Sequence, residues 1–452
     1  MAGLKDHIAE AIDEFRQMQV APWRDRPEER GRVPGWESSD DGRGVVFSWR
    51  LEKAIGRVAE ITRTNRKDLA PAHTRAEWRK VVRRAMALGL LDVDLNGDLG
   101  PAIDFIRSRV RDAIDAFVAA WPPLEHAFPC TLLNEQGRDY PDFGIARFET
   151  REAWLQRKRL DGAVSAVAAR RISSIWSGHR VRRRKRSEDA SVEAEILSAI
   201  GRLPYVCSVW TSGRAPKAAE EKAAQAARLA LLAVALVFSM PAGALDGLNL
   251  AYDGLPYHRK TLITAHGRMH GGTRLIKNPH GPWADAAAWS NAIPNYADVF
   301  TSIGGLLGYI VSPAATSPRA EVLRTLLHAM LFYHEACREP FDLMAVMKFA
   351  ASLDALAGGG GDQAILKLCL VRCEWSADQT IPIDGAPHLG LVADRIYSHG
   401  RSRTLHGNNP SVDHDWSDVR AWAEYVGRNV LIACLCWAAR HPDEEDPAAM
   451  LE

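Results

Sequence analysis

Apolar residues recur every three to four positions along most of this chain, the spacing that gathers them on one face of a helix. Ile8, Ile12 and Phe15 mark a helix over residues 5–18, and Leu51, Ile55, Val58 and Ile61 mark a second over 49–64. Thr74-Arg-Ala-Glu77 opens a third. It reads as a capping box, in which the Thr hydroxyl and the Glu carboxylate each satisfy a first-turn N–H. Trp78, Val82 and Met86 continue this helix towards a stop at Gly89. A fourth helix, 99–121, starts at Pro101 and carries Ile103, Ile106, Val110, Ile114 and Phe117. Residues 21–44, rich in Pro, Gly and charge, read as a loop.

The pattern then loosens. Residues 122–150 are loop-rich with short strands, 151–177 helical and basic, 192–203 helical, and 206–211 a strand. Residues 217–240 form a long Ala-rich helix whose apolar end belongs in a core. Gly, Pro, His and Asn crowd 242–312, which reads as irregular with short strands at 262–265 and 273–276. From residue 318 the periodicity is cleanly helical over 319–338, 341–357, 362–375, 387–399 and 415–439, and short connections between such helices make a bundle. The expected fold class is mainly α: a C-terminal helical bundle preceded by a largely helical N-terminal region with a few short strands. Three domains are expected: 1–190 with a basic linker at its end, a middle α/irregular domain 191–317, and the bundle 318–452.

At 452 residues the chain has room for several cores. A net charge of +1 gives no overall attraction to nucleic acid, so charge has to be read locally. The longest apolar run, 229–240, is too short to span a bilayer, and the first fifteen residues lack the pattern of a signal peptide. Seven scattered cysteines suit reduced thiols and a cytoplasmic location, with no membrane partner. No cofactor and no metal are expected. Cys369 and Cys373, one helical turn apart, read as buried thiols. Residues 92–100 match the first half of a calcium loop, but Ile103 stands where its last carboxylate belongs, so a polar turn is expected. His266-Gly-Arg-Met-His270 lacks the Glu of a zinc helix and reads as a loop. The densest positive run is His179 to Arg186. Arg182, Arg183 and Arg184 are its candidates for holding an RNA backbone, with Trp176 beside them to stack a base. A solvated linker is the alternative.

Candidate chemistry concentrates in Asp394-Arg-Ile-Tyr-Ser-His-Gly-Arg401-Ser-Arg-Thr-Leu-His406-Gly-Asn-Asn409. Arg401 offers a planar fork of donors to a phosphate, and His406 can move a proton near neutral pH. Metal-free phosphodiester cleavage needs both abilities. On a continuous helix five positions turn through roughly 500°, leaving the two side chains about 140° apart. To reach one phosphate together, they require a helix break between them or a second copy of the chain. Ser402 is a hydrogen-bonding helper, Tyr397 packs the site or stacks on a base, Asn408 orients the imidazole, and Arg403 adds charge to the cleft. The residues alone also admit a bland reading: Arg401 pairs with a carboxylate such as Asp394 or Asp413, and His406 caps a helix.

The wording Ile396-Tyr397, Arg401-Ser402, Leu405-His406-Gly407 resembles the signature of HEPN domains, in particular the ApeA-like branch of bacterial defence and toxin systems. The resemblance covers residues 318–441. It implies a homodimer in which two motifs face each other across a cleft. It further implies a metal-independent endoribonuclease of a bacterial anti-phage defence or toxin system, with transfer RNA a natural target and a phage trigger or an antitoxin as partner. Arg401, His406 and Ser402 would be catalytic, and on the reading of the residues themselves Tyr397, Arg403 and Asn408 are the candidates for binding substrate beside them. The alternative is a non-catalytic RNA-binding or dimerisation protein that uses the bundle as an interaction module.

Overall fold

A computed structural model of the chain describes residues 3–452 except 21–28, 32, 120, 135–137, 183, 254–257, 261–262, 272–273, 277–280 and 313–318. The fold is mainly helical, as the periodicity predicts, and it divides into two compact units.

The first unit comprises Met1–Leu124, Thr211–Lys222 and Val311–Ala315. Helices α1 (Leu4–Val20), α2 (Trp49–Asn65), α3 (Arg75–Asp92) and α4 (Leu99–Ala119) bury their apolar stripes against one another, with Ile8, Ile12, Leu51, Ile55, Trp78, Met86 and Ile106 at the centre. A short antiparallel hairpin, β1 (Trp36–Ser38) and β2 (Gly44–Val46), lies in the same unit. The capping box at Thr74 is formed in both directions, at 3.1 Å from the Glu77 N–H and 2.9 Å to its carboxylate. Gly89 does not end α3. The helix runs on to Asp92, and a side chain at Gly89 would stand 3.2 Å from Ile106 Cγ1. The glycine serves close approach of α3 to α4 instead. In the turn that resembles a calcium loop, the Asp92 carboxylate is taken by Arg43 and Arg109, and Asp94 accepts from the Asn96 N–H at 2.9 Å.

The second unit comprises Glu125–Trp210, Ala223–Ile310 and Thr316–Glu452. The expected boundary at 190/191 falls inside it, and the one at 317/318 lies outside the described residues. The basic stretch expected as a linker joins two helices that pack together: α6 (Ala166–Trp176) and α7 (Glu188–Ile200), tied by Arg171 to Glu193 at 2.8 Å and by a shared apolar cluster. The middle region is bonded to the bundle, for example Ser302 Oγ to the Leu435 carbonyl at 2.6 Å and Arg428 to the Tyr296 hydroxyl at 2.6 Å.

Strands β3 (Leu124–Cys130), β4 (Ala146–Thr150) and β5 (Tyr205–Thr211) form a sheet in the order β3-β5-β4, with Phe148 opposite Cys207 in the antiparallel β4–β5 pair. Helix α5 (Arg151–Leu160) leaves β4 directly, capped by Thr150. The helix expected over 151–177 is interrupted because Gly162 takes a left-handed φ of 79°, and Ser165 caps α6 anew. Beyond α8 (Pro216–Ala235) and α9 (Pro241–Leu245), short strands β6 (His258–Lys260), β7 (Ile263–Ala265), β8 (Arg268–Gly271) and β9 (Arg274–Ile276) pair as β6–β9 and β7–β8. His266 occupies the β7–β8 turn at φ 49°. Two helices follow where irregular chain is expected, α10 (Ala286–Asn295) and α11 (Ala297–Val311). Pro294, Gly304, Gly305 and Gly308 lower local helix propensity. Tertiary burial overrides it: Ile303, Leu306 and Leu307 are fully buried, and a side chain at Gly304 would stand 3.3 Å from the Phe143 carbonyl oxygen.

The C-terminal bundle contains α12 (Ala320–Arg338), α13 (Asp342–Leu356), α14 (Gly361–Arg372), α15 (Leu389–Asp394), α16 (Arg403–Leu405) and α17 (Ser417–Arg440). Helix α13 is its axis, with Val346, Phe349 and Leu353 fully buried. Tyr333 of α12 meets Phe349 edge-on at 5.1 Å between ring centres and donates its hydroxyl to the Glu424 carbonyl of α17 at 3.2 Å. Among the described residues no single helix is long and apolar enough to cross a membrane.

Candidate active site

The motif lies on one helical rod. Helix α15 passes into a π-helical segment, Arg395–Ser402, and this into α16. The Arg403 N–H reaches back five residues to the Ser398 carbonyl, the wider π pattern, and the His406 N–H returns to the Ser402 carbonyl at 3.1 Å. No break therefore separates Arg401 from His406. The rod stays tight against α13 because of Gly400, where an added Cβ would come within 2.6 Å of Val346 Cγ1. The glycine sits at a helix–helix contact within the π segment.

Arg401 points back along the rod. Its Nη1 donates to the Tyr397 hydroxyl at 3.0 Å and lies 3.1 Å from Asp354 Oδ2 at the end of α13. The guanidinium also stands over the Tyr397 ring, 5.1 Å from its centre. Tyr397 in turn packs against Gly361, which holds a left-handed φ of 72° and where an added Cβ would stand 3.1 Å from the ring's Cε1. Asp354 is 8 % exposed and its other oxygen accepts the Gly361 N–H at 3.2 Å. Arg401 thus has a carboxylate partner, and it is neither Asp394 nor Asp413. Asp394 instead lies 3.2 Å from His399 Nδ1, a distance at which the two interact electrostatically without an aligned hydrogen bond. The Arg401 side chain remains 26 % exposed, so an outer edge of the fork is open to an approaching anion.

His406 is exposed at the C-terminal end of α16, with Gly407 beyond it at φ 70°. Five residues of helix carry it roughly 7 Å along the axis from Arg401, while the guanidinium leans the other way. Within one chain the two groups diverge. Ser402 is half-buried; Arg403 and Asn408 are exposed, and among the described residues neither Asn408 nor Arg403 bonds through its side chain to His406. The residue that organises the loop is its neighbour. Asn409 donates to the His399 carbonyl at 3.1 Å and to Thr404 Oγ1 at 2.7 Å, and accepts from the Ser411 N–H at 2.9 Å. Asn409 and Asp354 escape sequence reasoning. Asp354 lies 47 positions before Arg401 and carries no local signal; Asn409 sits in a Gly-Asn-Asn-Pro string that reads as an ordinary turn.

The basic tract lies elsewhere in the same unit. Arg182 is exposed, and its carbonyl accepts from Arg171 at 2.9 Å. Arg184 is paired with Asp189 at 3.2 Å and lies 3.7 Å from Glu193. Arg183 lies outside the described residues. The Trp176 ring carries the Arg151 guanidinium 4.9 Å from its centre and packs on the α5–α7 cluster, so its surface is already in use. No protein-family model, no curated protein and no solved structure matches this chain.

Proposed function

We propose that the chain is a metal-independent endoribonuclease that cuts RNA with Arg401 and His406 drawn from two copies of itself. The observation that carries this reading is the π-helical segment Arg395–Ser402, which spans the first half of the motif. Such segments are rare and are frequently found at functional sites. Because the rod is unbroken and the two groups diverge, a second copy is the remaining way to bring both onto one phosphate. In a two-fold pair each phosphate meets two imidazoles. One His406 takes the proton of the ribose 2′-OH as O2′ bonds to phosphorus. The other protonates the departing 5′-oxygen. The P–O5′ bond breaks, leaving a 2′,3′-cyclic phosphate and a 5′-OH. Arg401 stabilises the charge on the phosphorane-like transition state, and Ser402 adds a hydrogen bond. The likeness to HEPN domains is the ground for placing this activity in a bacterial anti-phage or toxin setting, with transfer RNA as a target and a phage trigger or an antitoxin as partner.

The Arg401–Asp354 contact favours a second reading, in which the arginine is a structural cation and the bundle an RNA-binding or dimerisation module. Digestion of total bacterial RNA in EDTA with the wild type and His406→Ala separates them. Discrete fragments ending in 2′,3′-cyclic phosphate, made by the wild type alone, support the nuclease. Equal behaviour of both proteins supports the module.

A further inference from the structure

Helices α5 and α6 enclose a groove of about 430 Å³ that includes Arg159, Arg170, Ser173 and His179 among its lining residues. Its cations are unlike those around them. On the faces turned to the sheet and to α7, basic side chains are matched with carboxylates: Arg157 with Glu125 and Glu149, Lys158 with Glu125, Arg171 with Glu193. In the groove, Arg159 and Arg170 are exposed and have no ion pair among the described residues. The carboxylate at its edge, Glu152, is taken by Arg151 Nε at 2.8 Å. Ser174 and Ser177 donate their hydroxyls to backbone carbonyls one turn back, both at 2.9 Å. That leaves two guanidiniums, the Ser173 hydroxyl and the His179 imidazole along a groove whose one lining carboxylate, Glu152, is bonded to Arg151. The chain then leaves the groove through Arg180, Arg182, Lys185 and Arg186, all exposed and likewise without an ion pair among the described residues.

We infer that this groove binds the phosphate backbone of an RNA strand and that the tract beyond it follows the strand. A single small anion needs fewer cations than are strung out here, whereas a strand presents a phosphate at every nucleotide. Of its apolar lining residues only Ala166 is exposed, while Leu155 and Ala169 are buried beneath the groove. This inference deepens the ribonuclease reading and rests on it for the choice of RNA. It relocates the recognition from Arg184, whose charge is already matched, to Arg159 and Arg170, which the sequence did not single out.

The test is fluorescence anisotropy of a labelled 20-nucleotide polyuridine with the full chain carrying His406→Ala, so that nothing is cut. Arg159→Ala/Arg170→Ala is expected to weaken binding at least tenfold and to flatten the salt dependence by roughly 1.4 in log–log slope, two contacts at about 0.7 each. Arg159→Lys/Arg170→Lys, which keeps the charge, is expected to retain most of the slope. Lys80→Ala/Arg84→Ala removes two exposed cations from the first unit and is expected to change nothing. Unchanged thermal melting of each variant shows that the fold is intact. Leu160 and Val167 are exposed beside the groove, so vesicles of phosphatidylcholine and phosphatidylserine form a second arm. Vesicle binding without RNA binding overturns the inference, as does an RNA affinity indifferent to the double substitution. Failure of the nuclease reading looks different: no cleavage by the wild type, with RNA binding still dependent on Arg159 and Arg170.

Discussion

The Arg401 guanidinium and the Asp354 carboxylate stand 3.1 Å apart, joined across two helices of the bundle at the arginine that the proposed ribonuclease would use to hold its phosphate. The pair is partly enclosed, and the carboxylate has the Gly361 N–H on its other oxygen. Removing the arginine leaves an uncompensated, nearly buried acid, which costs about 1–3 kcal/mol. Asp354→Asn keeps an acceptor for Gly361 and frees the guanidinium. We expect Arg401→Ala to lower stability in urea and abolish RNA cleavage. Asp354→Asn is expected to lower stability less and leave cleavage at or above the wild-type rate. Loss of cleavage in both variants would show that the carboxylate positions the arginine for catalysis and does not compete with the phosphate for it.

Gly400 offers a purely steric test of the rod. An added Cβ there meets Val346 Cγ1 at 2.6 Å and the Arg395 carbonyl oxygen at 3.3 Å. Gly400→Ala is expected to cost about 1–3 kcal/mol, the usual penalty of overpacking. Val346→Ala opens the space that the new methyl needs. The double variant should therefore be more stable than the sum of the single losses, with a coupling of about 0.5–2 kcal/mol in a thermodynamic cycle. A strictly additive result would mean that the π segment tolerates the methyl by shifting along α13.

Much of this architecture was legible because it is encoded locally. The Thr74–Glu77 box and the stripes Ile8-Ile12 and Leu51-Ile55 each need only one turn of neighbours to be recognised, and each is formed. What was not legible depends on partners distant in sequence. Gly89 reads as a stop until Ile106 is beside it, and α11 reads as broken chain until Gly304 is seen against the Phe143 carbonyl and its apolar residues in a core. The site follows the same rule. Periodicity shows that Arg401 and His406 diverge on a straight helix; it cannot show that the helix stays whole or that Asp354 waits for the arginine.

The Glu125 cluster sets an acid limit on the second unit. Burial pushes the Glu125 carboxyl up, but bonds from Arg157, Lys158 and Ser208 outweigh it and bring the value down to about 2. The unfolded carboxyl titrates near pH ~4.3. The folded pKa is lower than the unfolded one, so the contribution is complete above the unfolded value and is lost as pH falls through the folded value. Stability is expected to drop by up to about 3 kcal/mol between roughly pH 4.5 and 2. Glu125→Gln should be less stable at pH 7 and show a flatter acid limb when urea midpoints are measured across this range.

Two adjacent loop residues separate fold from chemistry at the end of the motif. Asn409 uses its side chain three times, to His399, Thr404 and Ser411, and so clamps the loop onto the rod. His406 is exposed, and its side chain makes no such bond among the described residues. Asn409→Ala is expected to cost about 1–3 kcal/mol, since it strands partly buried polar groups. His406→Ala should stay within about 0.5 kcal/mol of the wild type, as exposed substitutions do. If the imidazole moves protons, cleavage falls by at least a hundredfold in His406→Ala with melting unchanged. In Asn409→Ala, activity and melting temperature fall together. A His406→Ala protein that loses stability but cleaves normally would mean the imidazole is a structural element of the turn, and the proton transfers would have to be assigned to another group.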